Sequence, residues 1–139
     1  MKEKLTIAFV CTGNTFRSQI GEAFAKKYGS HLWTAYSAGL EVKSSELHPF
    51  TTDIMNEIGI SMVDHHPKLL SDIPAKVDIL VTMGCGAKCP YVPTKHRVEW
   101  SLPPLDNTNR ASFAAIRDAI EVNVKALVKS LESRELVVK

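Results

Sequence analysis

The sequence predicts a single α/β domain over residues 1–139, with helices on both faces of a small four-stranded parallel sheet. Short apolar runs alternate along the chain with segments of helical periodicity. This alternation is typical of parallel sheets. The length of 139 residues suits one ordinary domain, and no repeat, linker or low-complexity segment divides it.

Four segments are predicted as strands. Leu5–Val10 and Val77–Met83 are short, mostly apolar and β-rich runs, which suit fully buried strands of a parallel sheet. Trp33–Ser37 is a third strand, closed by Gly39, and Arg97–Trp100 is a short last one.

Helical spacing of apolar residues predicts the helices. They are expected over Ser18–Tyr28, over His48–Gly59, whose final glycine suits a C-cap, and briefly over Lys68–Leu70. Ser112–Leu131 has the clearest periodicity, and its first serine can cap it. Two Gly, two Pro and two Cys between residues 84 and 93 indicate a loop.

Charge and composition exclude several partners. The net charge of +2 is small, and no run of five like charges occurs, so neither a nucleic acid nor a membrane surface is expected as a partner. The apolar runs are far shorter than the ~20 residues that span a bilayer. The N-terminal basic and apolar residues lack the cleavage site of a secretion signal.

Cysteine usage points to a reducing compartment. An odd number of cysteines, three, cannot form a fully paired disulfide framework. In a chain without a secretion signal the thiols are expected to be reduced at rest. We therefore expect a cytoplasmic protein, and a monomer.

The first strand is followed by Cys-Thr-Gly-Asn-Thr-Phe-Arg-Ser, in which five residues separate Cys11 from Arg17. Between a strand and a helix, such a loop can turn its backbone N–H groups inward around an anion. The same groups favour a nucleophilic thiolate at Cys11, and Arg17 offers a two-pronged donor to a tetrahedral oxyanion. Ser18 and Thr15 carry hydroxyls that can stabilise the thiolate. The alternative is a buried structural cysteine followed by an ordinary turn. The residues expected to bind the oxyanion are Thr12, Gly13, Asn14, Thr15, Phe16 and Arg17.

The segment Val10–Ser18 resembles the phosphate-binding signature of the low-molecular-weight protein tyrosine phosphatases and of the related thiol-dependent arsenate reductases. Further matches occur at Ser37–Gly39, at Asp78–Met83 and at Trp100–Leu102. The resemblance implies this family's fold. Because phosphate and arsenate are nearly isosteric, the loop alone does not separate the two activities.

A second pair of cysteines favours arsenate reduction. Hydrolysis of a phosphate ester needs one thiolate, whereas reduction delivers two electrons and needs a further thiol. The resemblance implies that Cys11 is the nucleophile, Cys85 the resolving thiol and Cys89 the shuttle. A thioredoxin-like or glutaredoxin-like protein would then close the cycle. Alternatively, the pair is half of a zinc site with His96, or is inert.

The sequence departs from the family pattern at the general acid. The aspartate that relatives place after the Trp-x-Leu-Pro stretch corresponds to Pro104, and Asp106 lies two residues later. We expect Asp106 to be the acid, with a turn-capping role beside Asn107 as the alternative.

The potassium site of some relatives is altered as well. Asn14, Glu22 and Ser37 match three of its ligands, but Lys68 stands at the fourth position. Its ammonium can take the place of the metal, so we expect no metal and no cofactor.

Arsenate reduction by Cys11 with a relay through Cys85 and Cys89 is the favoured hypothesis. The second is a phosphatase that forms a phosphocysteine at Cys11, although no aromatic residues follow Asp106 to hold a phosphotyrosine ring. The third is a non-catalytic anion-binding or redox-sensing module. The combination of Cys11, Arg17 and Ser18 argues against that third hypothesis, since a sensor needs no oxyanion cradle.

Overall fold

The predicted α/β class is confirmed in a computed structural model, which describes residues 4–84 and 92–138. The four strands are parallel, in the order β2-β1-β3-β4. The elements along the chain are β1 (Leu5–Cys11), α1 (Arg17–Gly29), β2 (Trp33–Gly39), α2 (Pro49–Glu57), a 3-10 helix (Leu70–Asp72), β3 (Val77–Thr82), β4 (Thr94–Glu99) and α3 (Arg110–Glu132).

Both faces of β1 are buried from Ile7 onward, as its mostly apolar sequence predicts. Ile7 and Phe9 belong to the main core, to which all three α-helices contribute. Ala8 and Val10 point to the opposite face, into a smaller cluster that includes Ile73 beside the 3-10 helix. Within the described residues the α-helices therefore share one face, and the 3-10 helix lies on the other.

The order of the strands creates the position for a site. The chain leaves β1 towards β2 on one side, and β3 and β4 follow on the other side of β1. The connections after β1 and β3 therefore diverge, and ligands of open α/β sheets bind in the crevice that such a divergence leaves at the carboxyl ends of the strands. Cys11 ends β1, and Gly84 lies two residues beyond the end of β3.

Most element boundaries differ from the predicted ones by one or two residues, and the brief helix predicted over Lys68–Leu70 is the 3-10 helix at Leu70–Asp72. The last strand and the start of α3 differ as well. The last strand covers Thr94–Glu99 rather than Arg97–Trp100, and helix α3 begins at Arg110 rather than Ser112. The side chain of Asn109, not that of Ser112, caps this helix by accepting a hydrogen bond from the Ala111 N–H. In the described parts of the chain, no helix combines the length and the apolar character needed to cross a membrane.

Candidate active site

The nucleophile predicted from the sequence lies at the carboxyl end of β1. Cys11 is buried, with 4% of its surface exposed, and its thiol is free. Its Sγ lies 2.8 Å from the Oγ of Ser18 in the first turn of α1. The structure thus brings together two side chains that are seven residues apart in the sequence.

The loop between β1 and α1 turns its carbonyl groups outward. The Thr12 carbonyl accepts hydrogen bonds from the N–H groups of Leu40 and Glu41. The Thr15 carbonyl accepts from the His48 N–H at 3.1 Å and from the Thr51 hydroxyl at 2.9 Å. These contacts hold the loop from outside and leave its concave side to the N–H groups.

The N–H groups of residues 13–18 donate no hydrogen bond to any residue in the described ranges. Successive unpaired N–H groups at the start of a helix form an anion-binding concavity, to which the helix dipole adds positive potential. The oxyanion cradle predicted from the sequence requires such free N–H groups, and its binding of an anion stays a prediction. The side chain of Phe16 does not line it, because its ring is buried 4.5 Å from that of Phe113.

Asn14 fixes the curvature of the loop. Its φ of 56° is in the left-handed region, and its side chain is fully buried. The Oδ1 atom accepts hydrogen bonds at 2.8 Å from the Lys68 N–H and from Gln19 Nε2. Gly39 permits this close packing, since a Cβ there would lie 2.9 Å from the Thr12 carbonyl oxygen.

The guanidinium of Arg17 is available to a ligand. It forms no ion pair or hydrogen bond with any described residue. It lies against Gly84, where an added Cβ would be 2.5 Å from Nη1. A pocket of about 530 Å³ opens beside it. This pocket is lined by Arg17, Gly84, Glu99, Trp100, Ser101 and Leu102.

Residues 6–136 match the family model described as "Low molecular weight phosphotyrosine protein phosphatase". The chain belongs to this family. An arsenate reductase of Brevibacillus brevis is 36% identical over 136 residues, covering 95% of this chain and 100% of the relative.

Solved structures give the same relationship. A structure described as an arsenate reductase in the phosphate binding state has a TM-score of 0.81 and 28% identity, covering 92% of this chain and 98% of its own. A thioredoxin-dependent arsenate reductase of Corynebacterium glutamicum has a TM-score of 0.77 and 30% identity, covering 96% of this chain and 64% of its own.

Two of the residues matched to the potassium site of some relatives, Ser37 and Lys68, lie against the carboxylate of Glu22. The Ser37 hydroxyl and the Lys26 ammonium donate to its carboxylate, and Lys68 Nζ lies 3.6 Å from Oε1. Burial alone would raise the pKa of Glu22, but these hydrogen bonds and the charges of Lys68 and Lys26 outweigh burial and hold the pKa below its usual value. The ammonium of Lys68 thus supplies positive charge at this carboxylate.

Asp106, the predicted general acid, lies in an exposed turn before α3. Its Oδ1 accepts hydrogen bonds from the hydroxyl and the N–H of Thr108, which lower its pKa. Neither Asp106 nor Cys11 is among the residues that line the pocket beside Arg17. These contacts are those of the alternative turn-capping role, and the acid role stays a prediction.

Two polar features of the site were not predicted from the sequence. Gln19 is fully buried and bonds to the nucleophile loop, and His65 in turn bonds to Gln19 at 2.8 Å. Gln19 and His65 are 46 residues apart in the sequence, so no local sequence pattern predicts their contact. The predicted relay thiols Cys85 and Cys89 lie outside the described residues.

Proposed function

We propose that this protein is an arsenate reductase in which the Cys11 thiolate is the nucleophile. The observation that carries the proposal is a free Cys11 thiol that ends β1 next to a loop whose N–H groups, at residues 13–18, have no hydrogen-bond partner among the described residues. The guanidinium of Arg17, at the end of the same loop, has no partner among those residues either. A doubly charged tetrahedral oxyanion satisfies both sets of donors at once.

The first step is attack of the Cys11 thiolate on arsenic. A sulfur–arsenic bond forms, and one arsenate oxygen leaves as water after protonation. Asp106 is the predicted proton donor, and it can act only if its carboxyl group takes up a proton and turns away from Thr108. The Ser18 hydroxyl stabilises the thiolate before attack, at 2.8 Å from the sulfur.

The second step transfers the electrons. The Cys85 thiolate attacks the sulfur of Cys11, forming a disulfide, and the electron pair of the sulfur–arsenic bond leaves with arsenic as arsenite. Cys89 then attacks Cys85, which frees Cys11 and leaves a disulfide between Cys85 and Cys89. A thioredoxin-like or glutaredoxin-like dithiol reduces that disulfide.

Two observations support the reductase over a phosphatase. The relatives that match over nearly the whole chain include a Brevibacillus arsenate reductase and a thioredoxin-dependent reductase of Corynebacterium. In addition, Gly84 lies against Arg17, and the next residue in the sequence is Cys85. The phosphatase alternative rests on the same cradle, in which water would hydrolyse a phosphocysteine at Cys11.

The test is arsenate-dependent oxidation of NADPH by the purified protein with thioredoxin and thioredoxin reductase, together with a direct count of arsenite. Wild type should turn over continuously, and C11S should be inactive. C89S should release about one arsenite per protein and stop, whereas C85S should release none. This difference between two matched Cys→Ser variants isolates the order of the relay.

Hydrolysis of para-nitrophenyl phosphate serves as the parallel assay. Ester hydrolysis that requires Cys11 but is unaffected in C85S, without arsenate turnover with either thioredoxin or glutaredoxin, would establish the phosphatase instead. Continuous arsenate turnover in C85S would refute the relay.

A further inference from the structure

A chain of hydrogen bonds leads from His65 to the nucleophile. The Nε2 atom of Gln19 lies 2.8 Å from Asn14 Oδ1 and 2.8 Å from the His66 carbonyl oxygen. Both partners are acceptors, so both amide hydrogens are donated. The remaining Oε1 of Gln19 must accept, and its partner is His65 Nδ1 at 2.8 Å. The hydrogen of this bond therefore belongs to His65.

The same reasoning fixes the bonds nearer to the sulfur. Asn14 Oδ1 already accepts from Gln19 and from the Lys68 N–H, so its amide nitrogen is the donor to Ser18 Oγ at 2.7 Å. The hydroxyl hydrogen of Ser18 has one acceptor left among the described residues, namely Cys11 Sγ. All four hydrogen bonds between His65 and Cys11 are therefore donated in the same direction, and the last is donated by the Ser18 hydroxyl to the sulfur.

We propose that His65 is a positioning residue for Cys11, because its Nδ1–H orients the amide of Gln19 and, through Asn14 and Ser18, the hydroxyl hydrogen that stabilises the thiolate. The inference rests on the proposed function only in taking the Cys11 thiolate as the reactive species. The side chain of His65 bonds to Gln19 and acts on the sulfur through Gln19, Asn14 and Ser18.

The surroundings of His65 are consistent with this role. Burial lowers the pKa of His65, and the charges of Lys26 and Lys68 act in the same direction, against the opposing charges of Glu22 and Asp64. The ring is therefore neutral at pH 7, with its hydrogen on Nδ1. Since the protonated ring also carries an Nδ1–H, the direction of the chain is independent of the titration of His65.

The test measures the thiolate of Cys11 itself. The rate of alkylation by iodoacetamide is followed across pH 5–9 by peptide-resolved mass spectrometry, which separates Cys11 from the other two cysteines. We expect H65L to move the midpoint of the profile upward by about one pH unit, which is about tenfold slower alkylation at neutral pH.

Two variants make the result specific. H65N places an amide N–H where the ring Nδ1–H was, so its midpoint should lie within about 0.3 unit of wild type. H66L makes the same substitution as H65L at an exposed neighbour whose carbonyl, not its side chain, bonds to Gln19, and it should match wild type. Circular dichroism melting checks that each variant is folded.

Superposition of the H65L and wild-type profiles would overturn the proposal. Equal shifts in H65N and H65L would also overturn it, since they would assign the effect to ring packing rather than to the donor. Alkylation needs neither arsenate nor a reductant. A protein that follows the expected profiles but reduces no arsenate would therefore refute the proposed function alone.

Discussion

Replacing Gly84 with alanine tests whether the backbone just after β3 sets the position of the Arg17 guanidinium, the proposed hydrogen-bond donor to the oxyanion. Gly84 has a φ of +78°, and a Cβ there would lie 2.5 Å from Arg17 Nη1. The left-handed backbone costs an alanine about 1 kcal/mol. The guanidinium must also retreat by roughly 1 Å to reach an ordinary contact distance. A displacement of that size in a positioning group can cost up to about 10²-fold in rate.

Gly59 provides a matched control. Its φ is +80°, and a Cβ there would have no atom within 4 Å. G59A and G84A should therefore lose similar stability, about 1 kcal/mol each in urea denaturation. Only G84A should lose kcat/KM for arsenate, by about tenfold or more, with a parallel loss of phosphate binding in calorimetry. Equal activities in the two variants, or phosphate binding in G84A as tight as in wild type, would refute this reasoning about Arg17.

Three further outcomes are expected. The pKa of Glu22 is lowered in the folded protein, so its contribution to stability is present above about pH 4.5 and is lost as the pH falls through the folded-state pKa. E22Q should therefore lower the free energy of unfolding, measured in urea, more at pH 7 than at pH 3. Equal losses at the two pH values would contradict this. S18A removes the hydroxyl that lies 2.8 Å from Cys11 Sγ and should slow alkylation of Cys11 at pH 7 by about tenfold. An unchanged alkylation rate would show that the hydrogen bond from Ser18 does not stabilise the thiolate. D106N keeps an oxygen that can accept the hydrogen bonds from Thr108, so its melting temperature should equal that of wild type. If Asp106 is the general acid, kcat of D106N should fall by about 10²-fold, and an unchanged kcat would exclude the acid role.

The local sequence was sufficient to predict the strand, the turn and the helix start that position Cys11. Leu5–Val10 is apolar at every position but one and becomes the central strand β1. The spacing of Cys11 and Arg17 then follows from a strand, a tight turn and a helix start, which are all local features. These parts could be predicted because a few adjacent residues determine them.

The missed boundaries are those set by tertiary contacts. The first turn of α3 has no apolar periodicity, but Arg110 pairs there with Asp53 and Glu57 of α2. Edge strand β4 alternates half-buried and exposed residues, and its exposed positions Lys95, Arg97 and Glu99 are charged, so it lacks the apolar signal of a buried strand. The contact of Gln19 with His65 depends equally on packing between distant segments.

The cradle itself does not choose between arsenate and phosphate. In the proposed site, the donors are the N–H groups of residues 13–18 and the guanidinium of Arg17. Such donors recognise charge and tetrahedral shape, which the two anions share. Selection must therefore occur after the bond to Cys11 has formed, when either water or a second thiol attacks the adduct. Gly84 lies against Arg17, and Cys85, the proposed resolving thiol, is the next residue in the sequence. In the proposed mechanism, the thiols that follow β3 in the sequence therefore decide between reduction and hydrolysis, whereas the loop after β1 binds the anion and supplies the thiolate.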